Sequence, residues 1–244
     1  MRANKIIMGT GVSLDVPGAN QSLIDAVFTR LEDIDARFST YKKSSDVSRF
    51  KTGEIAEKDF SQEMKQVFAA CKSAEAQTNG YFSAWASGSY DPSGYVKGWA
   101  IAEAAKVIKK AGHGTYCIGI GGDILAASDG DKVWKIAIED PRAKNEILAV
   151  AEVKNMAVAT SGNYRRGAHI INPKNRQPAD EILSITVAGP EIIDADVLAT
   201  AGFARGFDGL NAIAEWAKDY RALMIDKTGR LFMTENMQQL LVKD

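Results

Sequence analysis

The stretch YCIGIGGDILAASDGDKVWKIAIEDPRAKNEILAVAEVKNMAVAT, residues 116–160, decides the fold class. Its apolar runs at 116–120, 124–127, 133–138, 148–153 and 156–160 are too short for helices, carry β-branched and aromatic side chains, and are separated by turn residues. They read as strands, and Asp129-Gly130 is expected to close a hairpin between two of them. A further strand is expected at 184–188.

Towards the N-terminus, residues 3–8 and 11–16 read as short strands around the tight Met8-Gly9-Thr10-Gly11 segment. Leu23, Ile24, Val27, Phe28, Leu31 and Ile34 then recur at helical spacing, which predicts one buried stripe over 21–36, capped at Asn20 or Ser22. The segment 38–46 has no period and is dense in hydroxyls, so it reads as a loop that can face a ligand. Helical spacing resumes over 61–78, with a stop at Asn79-Gly80, and over 97–111, with a stop at Gly112. On the C-terminal side come helices over 194–204 and 208–218 and a hairpin at Lys227-Thr228-Gly229. This order is not βαβ repetition. It predicts an α+β fold, with mixed or antiparallel sheets packed against helices, as one domain spanning 1–244.

The chain has 244 residues, 45% hydrophobic and 25% charged, as ordinary globular proteins do. A net charge of -1, from 30 basic and 31 acidic residues, gives no general attraction to nucleic acid or to an anionic membrane. No apolar run nears the ~20 residues that span a bilayer. The first ten residues lack the apolar stretch of a signal peptide, so a cytoplasmic protein without membrane insertion is expected. Cys71 and Cys117 have no CxxC spacing, and the 2 histidines cannot build a multi-histidine site. Any metal should therefore be hard and oxygen-bound, which points to Mg²⁺.

None of the glycine-rich segments has the spacing of a P-loop or a Rossmann turn, and each alone reads as a plain turn. Asp91-Pro92-Ser93-Gly94-Tyr95-Val96-Lys97-Gly98 opens a helix with a glycine-flanked lysine, a combination able to hold an anion. Asp196 and Thr200 lie one helical turn apart, where both can ligate a hard cation; in isolation they read first as a capped helix whose threonine bonds back to a carbonyl. After the strand at 156–160, Ser161, Tyr164, Arg165, Arg166 and His169 crowd functional groups together. His169 is equally a general base near a phosphoryl acceptor or a structural histidine.

Taken in order, Met8-Gly9-Thr10, Phe38-Ser39-Thr40-Tyr41, residues 91–100, Gly121-Gly122-Asp123-Ile124, Ala159-Thr160-Ser161-Gly162, His169-Ile170-Ile171-Asn172-Pro173 and residues 195–201 resemble the ApbE family of FAD:protein FMN transferases. The resemblance implies a T-fold-like architecture. It also implies Mg²⁺ held by Asp196, Thr200 and the backbone carbonyl of Gly94. FAD, the substrate, would lie against Met8, Tyr41, Asp91 and Lys97, with Ser161, His169 and Ile171 near its diphosphate. The implied catalytic groups are Asp196, Lys97 and His169. The implied reaction moves FMN from FAD to a threonine or serine of an acceptor protein bearing an Asp-x-x-Ser/Thr-Gly-Ala-Thr motif, with release of AMP. FAD hydrolysis to FMN and AMP, or flavin binding without catalysis, are the rival readings. The chain departs from the family at Asn172, where aspartate is usual, and in the shortened stretch 83–90, where Trp85 is the expected substitute contact for the flavin ring.

Overall fold

The computed structural model describes residues 1–143, 145–164 and 167–242. Strands β1 (Arg2–Ile7) and β2 (Thr10–Asp15) form the first hairpin, turned by Met8 and Gly9, whose φ angles are 57° and 68°. Helices α1 (Gln21–Phe38), α2 (Asp46–Lys51), α3 (Gln62–Gln77) and α4 (Ser93–Lys110) follow. Then come β3 (Tyr116–Ile120), β4 (Asp123–Ala127), β5 (Trp134–Glu139), β6 (Ile147–Val153), β7 (Met156–Gly162), β8 (Ile171–Asn172), β9 (Gln177–Pro178) and β10 (Ile182–Gly189). Helices α5 (Ile192–Arg205) and α6 (Gly209–Trp216) and the hairpin β11 (Arg221–Asp226) and β12 (Leu231–Met233) complete the order.

The main sheet has 8 strands in the order β1-β2-β3-β4-β7-β10-β11-β12, and every neighbouring pair is antiparallel. Strand alternation sorts its side chains onto two faces. Ala157, Ala159, Ile185, Val187, Ala222 and Met224 pack with the helices, whereas Val158, Ala188, Leu223 and Ile225 pack under Trp134, Ile136, Ile138, Ala151 and Val153 of β5 and β6. Burying a large apolar side chain such as Phe203, Ile101 or Ile118, each 0% exposed, stabilises by about 1.5–3 kcal/mol. A helix cap such as Asn20, whose side chain accepts from the Leu23 N–H at 2.9 Å, contributes only about 1 kcal/mol. Packing of helices on the sheet therefore dominates local preference.

The mixed α+β expectation holds, with three revisions. Asp129-Gly130 does not close a hairpin, because β4 stays in the main sheet while β5 leaves it to pair with β6 as a separate ribbon. Helix α4 begins at Ser93, four residues before the expected start, so Lys97 sits on its second turn and not at its first free N–H groups. A short helix, α2, follows the hydroxyl-rich loop, capped by the Ser45 side chain, which accepts from the Ser48 N–H at 3.0 Å. Among the described residues no helix is long and apolar enough to cross a membrane.

Candidate functional site

Tight turns and two helices converge on one cavity of about 1010 Å³. The β1–β2 turn presents Met8 to it, the loop after α1 presents Tyr41, and the β3–β4 turn presents Gly121 and Gly122. These glycines have φ of 62° and 105°, values that β-carbon-bearing residues rarely adopt, and the Gly121 N–H donates to the Gly11 carbonyl at 3.1 Å. Ile136, Ala137 and Ile138 of the ribbon form another wall.

Of the residues singled out in the sequence, Met8, Tyr41, Asp91, Gly94, Lys97, Ser161, His169, Ile171 and Thr200 all line this cavity. Tyr41 stands at 94% exposure on its margin. The Asp91 carboxylate accepts from the backbone N–H and the hydroxyl of Ser93 and so braces the start of α4. Asp196 lies beneath the wall, 1% exposed, and reaches the cavity through Lys97. Trp85 is the exception. It is not among the residues lining the cavity, and its ring packs 5.3 Å from Phe68 and 5.2 Å from Tyr90. Arg165 and Arg166 lie outside the described residues.

Close approach of α4 and α5 builds the charged centre. A β-carbon at Gly98 would lie 2.9 Å from the Ile192 carbonyl oxygen and 3.1 Å from the Asp196 β-carbon, and one at Gly94 would lie 3.2 Å from the Thr200 hydroxyl. At Gly98 a β-carbon would force the backbones apart, whereas at Gly94 the Thr200 side chain would have to give by a few tenths of an ångström; the two glycines share a helix face. The Gly98 N–H, whose regular helical partner is the Gly94 carbonyl, donates to Asp196 Oδ2 at 2.9 Å. The Lys97 ammonium is 3.2 Å from Asp196 Oδ1 and also donates to Asp123 Oδ2. Asp123, 0% exposed at the start of β4, accepts from the Thr160 N–H at 3.1 Å. The Thr200 hydroxyl is 3.5 Å from that of Ser161.

Asp123 was not among the expected site residues. Its signal in the sequence was a carboxylate placed between two glycines and a buried strand, but nothing local shows that the strand is covered on both faces.

Two buried carboxylates face one ammonium, which leaves an unbalanced negative charge where water cannot screen it. Burial pushes the Asp196 carboxyl above its usual range, against the pull of Lys97 and with the further push of the Asp123 charge. For Lys97, burial favours the neutral form, but Asp123 and Asp196 outweigh it and hold the ammonium charged. Carboxylate, hydroxyl and carbonyl oxygens beside a charge deficit suit a hard cation that keeps several waters. No cluster of three or more His, Cys, Asp or Glu that could hold a metal occurs among the described residues.

His169 is exposed, and its Nδ1 lies 2.9 Å from the Gly167 carbonyl. A carbonyl oxygen only accepts, so Nδ1 carries the proton in the neutral ring and Nε2 is left as the acceptor.

The family model of the ApbE family matches residues 8–87 and 83–224. The FAD:protein FMN transferase of Haemophilus influenzae is 34% identical over 149 residues, which is 56% of this chain and 43% of that protein. That of Vibrio cholerae is 35% identical over 136 residues, 51% of this chain and 40% of that protein. This chain thus aligns with less than half the length of these curated relatives. In structure, the flavin transferase ApbE from Vibrio cholerae superposes with a TM-score of 0.84 at 23% identity, over 99% of both chains. The ApbE protein from Thermotoga maritima superposes with a TM-score of 0.86 at 19% identity, over 100% of this chain and 99% of that one.

Proposed function

Because this chain belongs to the ApbE family, we propose that it is a magnesium-dependent transferase that breaks the diphosphate of FAD, places FMN on a threonine or serine hydroxyl of an acceptor protein and releases AMP. The observation that carries this reading is the Lys97, Asp123 and Asp196 charge cluster, which opens through Lys97 and Thr200 into a cavity large enough for a dinucleotide. Ligand pockets commonly run from about 300 to 1,000 Å³, so this one is at the large end.

Asp196, Thr200 and the Gly94 carbonyl would hold Mg²⁺, which when bound supplies charge to the bridging phosphates. The remaining work falls to the chain. Lys97, on a flexible stem and held charged by its carboxylate neighbours, neutralises the diphosphate from the cavity wall. The Nε2 of His169 accepts the proton of the attacking hydroxyl. Met8 offers apolar surface to the flavin, Ser161 and Ile171 lie near the diphosphate, and Asp91 fixes the start of α4 so that Gly94 and Lys97 keep their places. Phosphoryl transfer needs little more than such positioning and charge stabilisation. The expected acceptor carries an Asp-x-x-Ser/Thr-Gly-Ala-Thr motif, and the protein is expected to act in the cytoplasm.

The exposed Tyr41 also leaves the cavity mouth accessible to water, which favours FAD hydrolysis as the second reading. One experiment separates them. The protein is incubated with FAD, Mg²⁺ and an acceptor bearing the motif, and the products are resolved on a denaturing gel and by nucleotide chromatography. Flavin fluorescence migrating with the acceptor, matched by AMP and abolished by EDTA, is the expected result. Free FMN and AMP without labelled protein would establish the hydrolase, and intact FAD would leave a flavin-binding protein without catalysis.

A further inference from the structure

Each carboxylate of the charge cluster is anchored on one side by a backbone N–H and faces the same ammonium on the other. Asp196 Oδ2 accepts from Gly98 at 2.9 Å and Asp123 Oδ1 from Thr160 at 3.1 Å, while Asp196 Oδ1 and Asp123 Oδ2 both meet Lys97 Nζ. The anchored oxygens belong to α5 and β4 and their N–H donors to α4 and β7, elements that pack against one another. The ammonium rides on a four-carbon stem whose side chain is 21% exposed and lines the cavity, whereas both carboxylate side chains are 1% exposed. The cation is thus the one member of the cluster that can move by side-chain rotation alone into the cavity.

We propose that Lys97 is a resident counterion that occupies the cation position at Asp196 until a divalent ion displaces it towards the cavity, and that Asp123 is the positioning residue that retains the ammonium nearby. This rests on the metal reading above and adds to it an order of events: the divalent ion binds first and thereby turns the lysine towards the diphosphate. The charge arithmetic is simple. With both carboxylates ionised the cluster carries two negative charges and one positive, so it attracts a divalent ion but competes with it through the lysine. Removing the lysine should strengthen metal binding, and removing the Asp123 charge should weaken it by leaving Lys97 to pair with Asp196 alone.

Calorimetric titration of Mn²⁺ into metal-free protein, without FAD, tests this in wild type, Lys97→Met, Asp123→Asn and the double variant. Lys97→Met is expected to bind at least about tenfold more tightly and Asp123→Asn at least about tenfold more weakly. The double variant, with the wild-type net charge restored, should return to within about threefold of wild type. In EDTA, Lys97→Met should melt below wild type, and Mn²⁺ should restore most of the loss.

A lysine with a merely structural role would give weaker binding on removal, and that result overturns the proposal. Asp123→Asn strands no buried charge and decides the matter if Lys97→Met does not fold: unchanged Mn²⁺ affinity in that variant also overturns it. Should wild type neither bind Mn²⁺ nor gain thermal stability from it, with or without FAD, the metal reading itself fails.

Discussion

Replacement of Asp196 by alanine is expected to slow FMN transfer by about 10²–10³-fold or more in saturating Mg²⁺, the loss typical of removing a principal charge-stabilising group. The side chain is 1% exposed, accepts from the Gly98 N–H and faces Lys97, so its charge is held in place and acts through a dry medium. Asp196→Asn keeps the shape and an acceptor for Gly98 while removing only the charge. It should match alanine in lost activity. Stability should move differently, because ionised Asp196 carries a desolvation cost that the single ammonium, shared with Asp123, offsets only in part. The asparagine variant should therefore melt at or above the wild-type temperature in metal-free buffer. Loss of activity together with unimpaired folding, read by transfer assay and thermal melt, separates a functional group from a structural one. An unchanged transfer rate in either variant would exclude the assigned role.

The second large effect is expected at Gly98. A β-carbon there would meet the Ile192 carbonyl oxygen at 2.9 Å and the Ile193 α-carbon at 3.0 Å, and these backbone atoms cannot rotate aside. Replacing glycine by alanine in a helix gains about 1 kcal/mol of propensity, which works against the overlap. Valine adds two methyl groups to the clash and has weaker helix propensity than alanine. Gly98→Val should therefore lower stability by about 3 kcal/mol, the upper end of overpacking costs. For a chain of this size that is a fall of roughly 6–12 °C in Tm. Mn²⁺ binding should also be lost, because α5 must move and it carries Asp196 and Thr200 with it. Gly98→Ala should fall between valine and wild type in a urea melt. If valine melted like wild type and still bound metal, the close contact between α4 and α5 would be wrong.

Much of this is legible in the sequence. The stripe from Leu23 to Ile34 buries one helix face, and the short apolar runs of 156–160 and 184–188 became adjacent central strands buried on both faces. The helical spacing of Asp196 and Thr200 anticipated a shared face on α5.

What failed was information that lies between segments. Asp129-Gly130 has hairpin chemistry, yet turn residues do not say which sheet the next strand will join, and the apolar underside of the main sheet captured β5. Lys97 was read as a helix-opening residue because its flanking glycines look like a boundary. In the structure those glycines are contact points for α5, and the helix starts earlier, braced by Asp91. Nothing in the neighbourhood of Trp85 reveals that its ring packs against Phe68 and Tyr90. Asp123 escaped for the same reason: its importance comes from Lys97 and Asp196, which are remote in sequence and meet only when β4 lies against α4 and α5.

The most direct measurement is anomalous diffraction from crystals soaked in FAD and Mn²⁺. The expected result is one strong peak within coordination distance, roughly 2.0–2.6 Å, of the Asp196 carboxylate and the Thr200 hydroxyl, next to the flavin diphosphate. Well-defined FAD in the cavity with no peak between those two side chains would contradict the account.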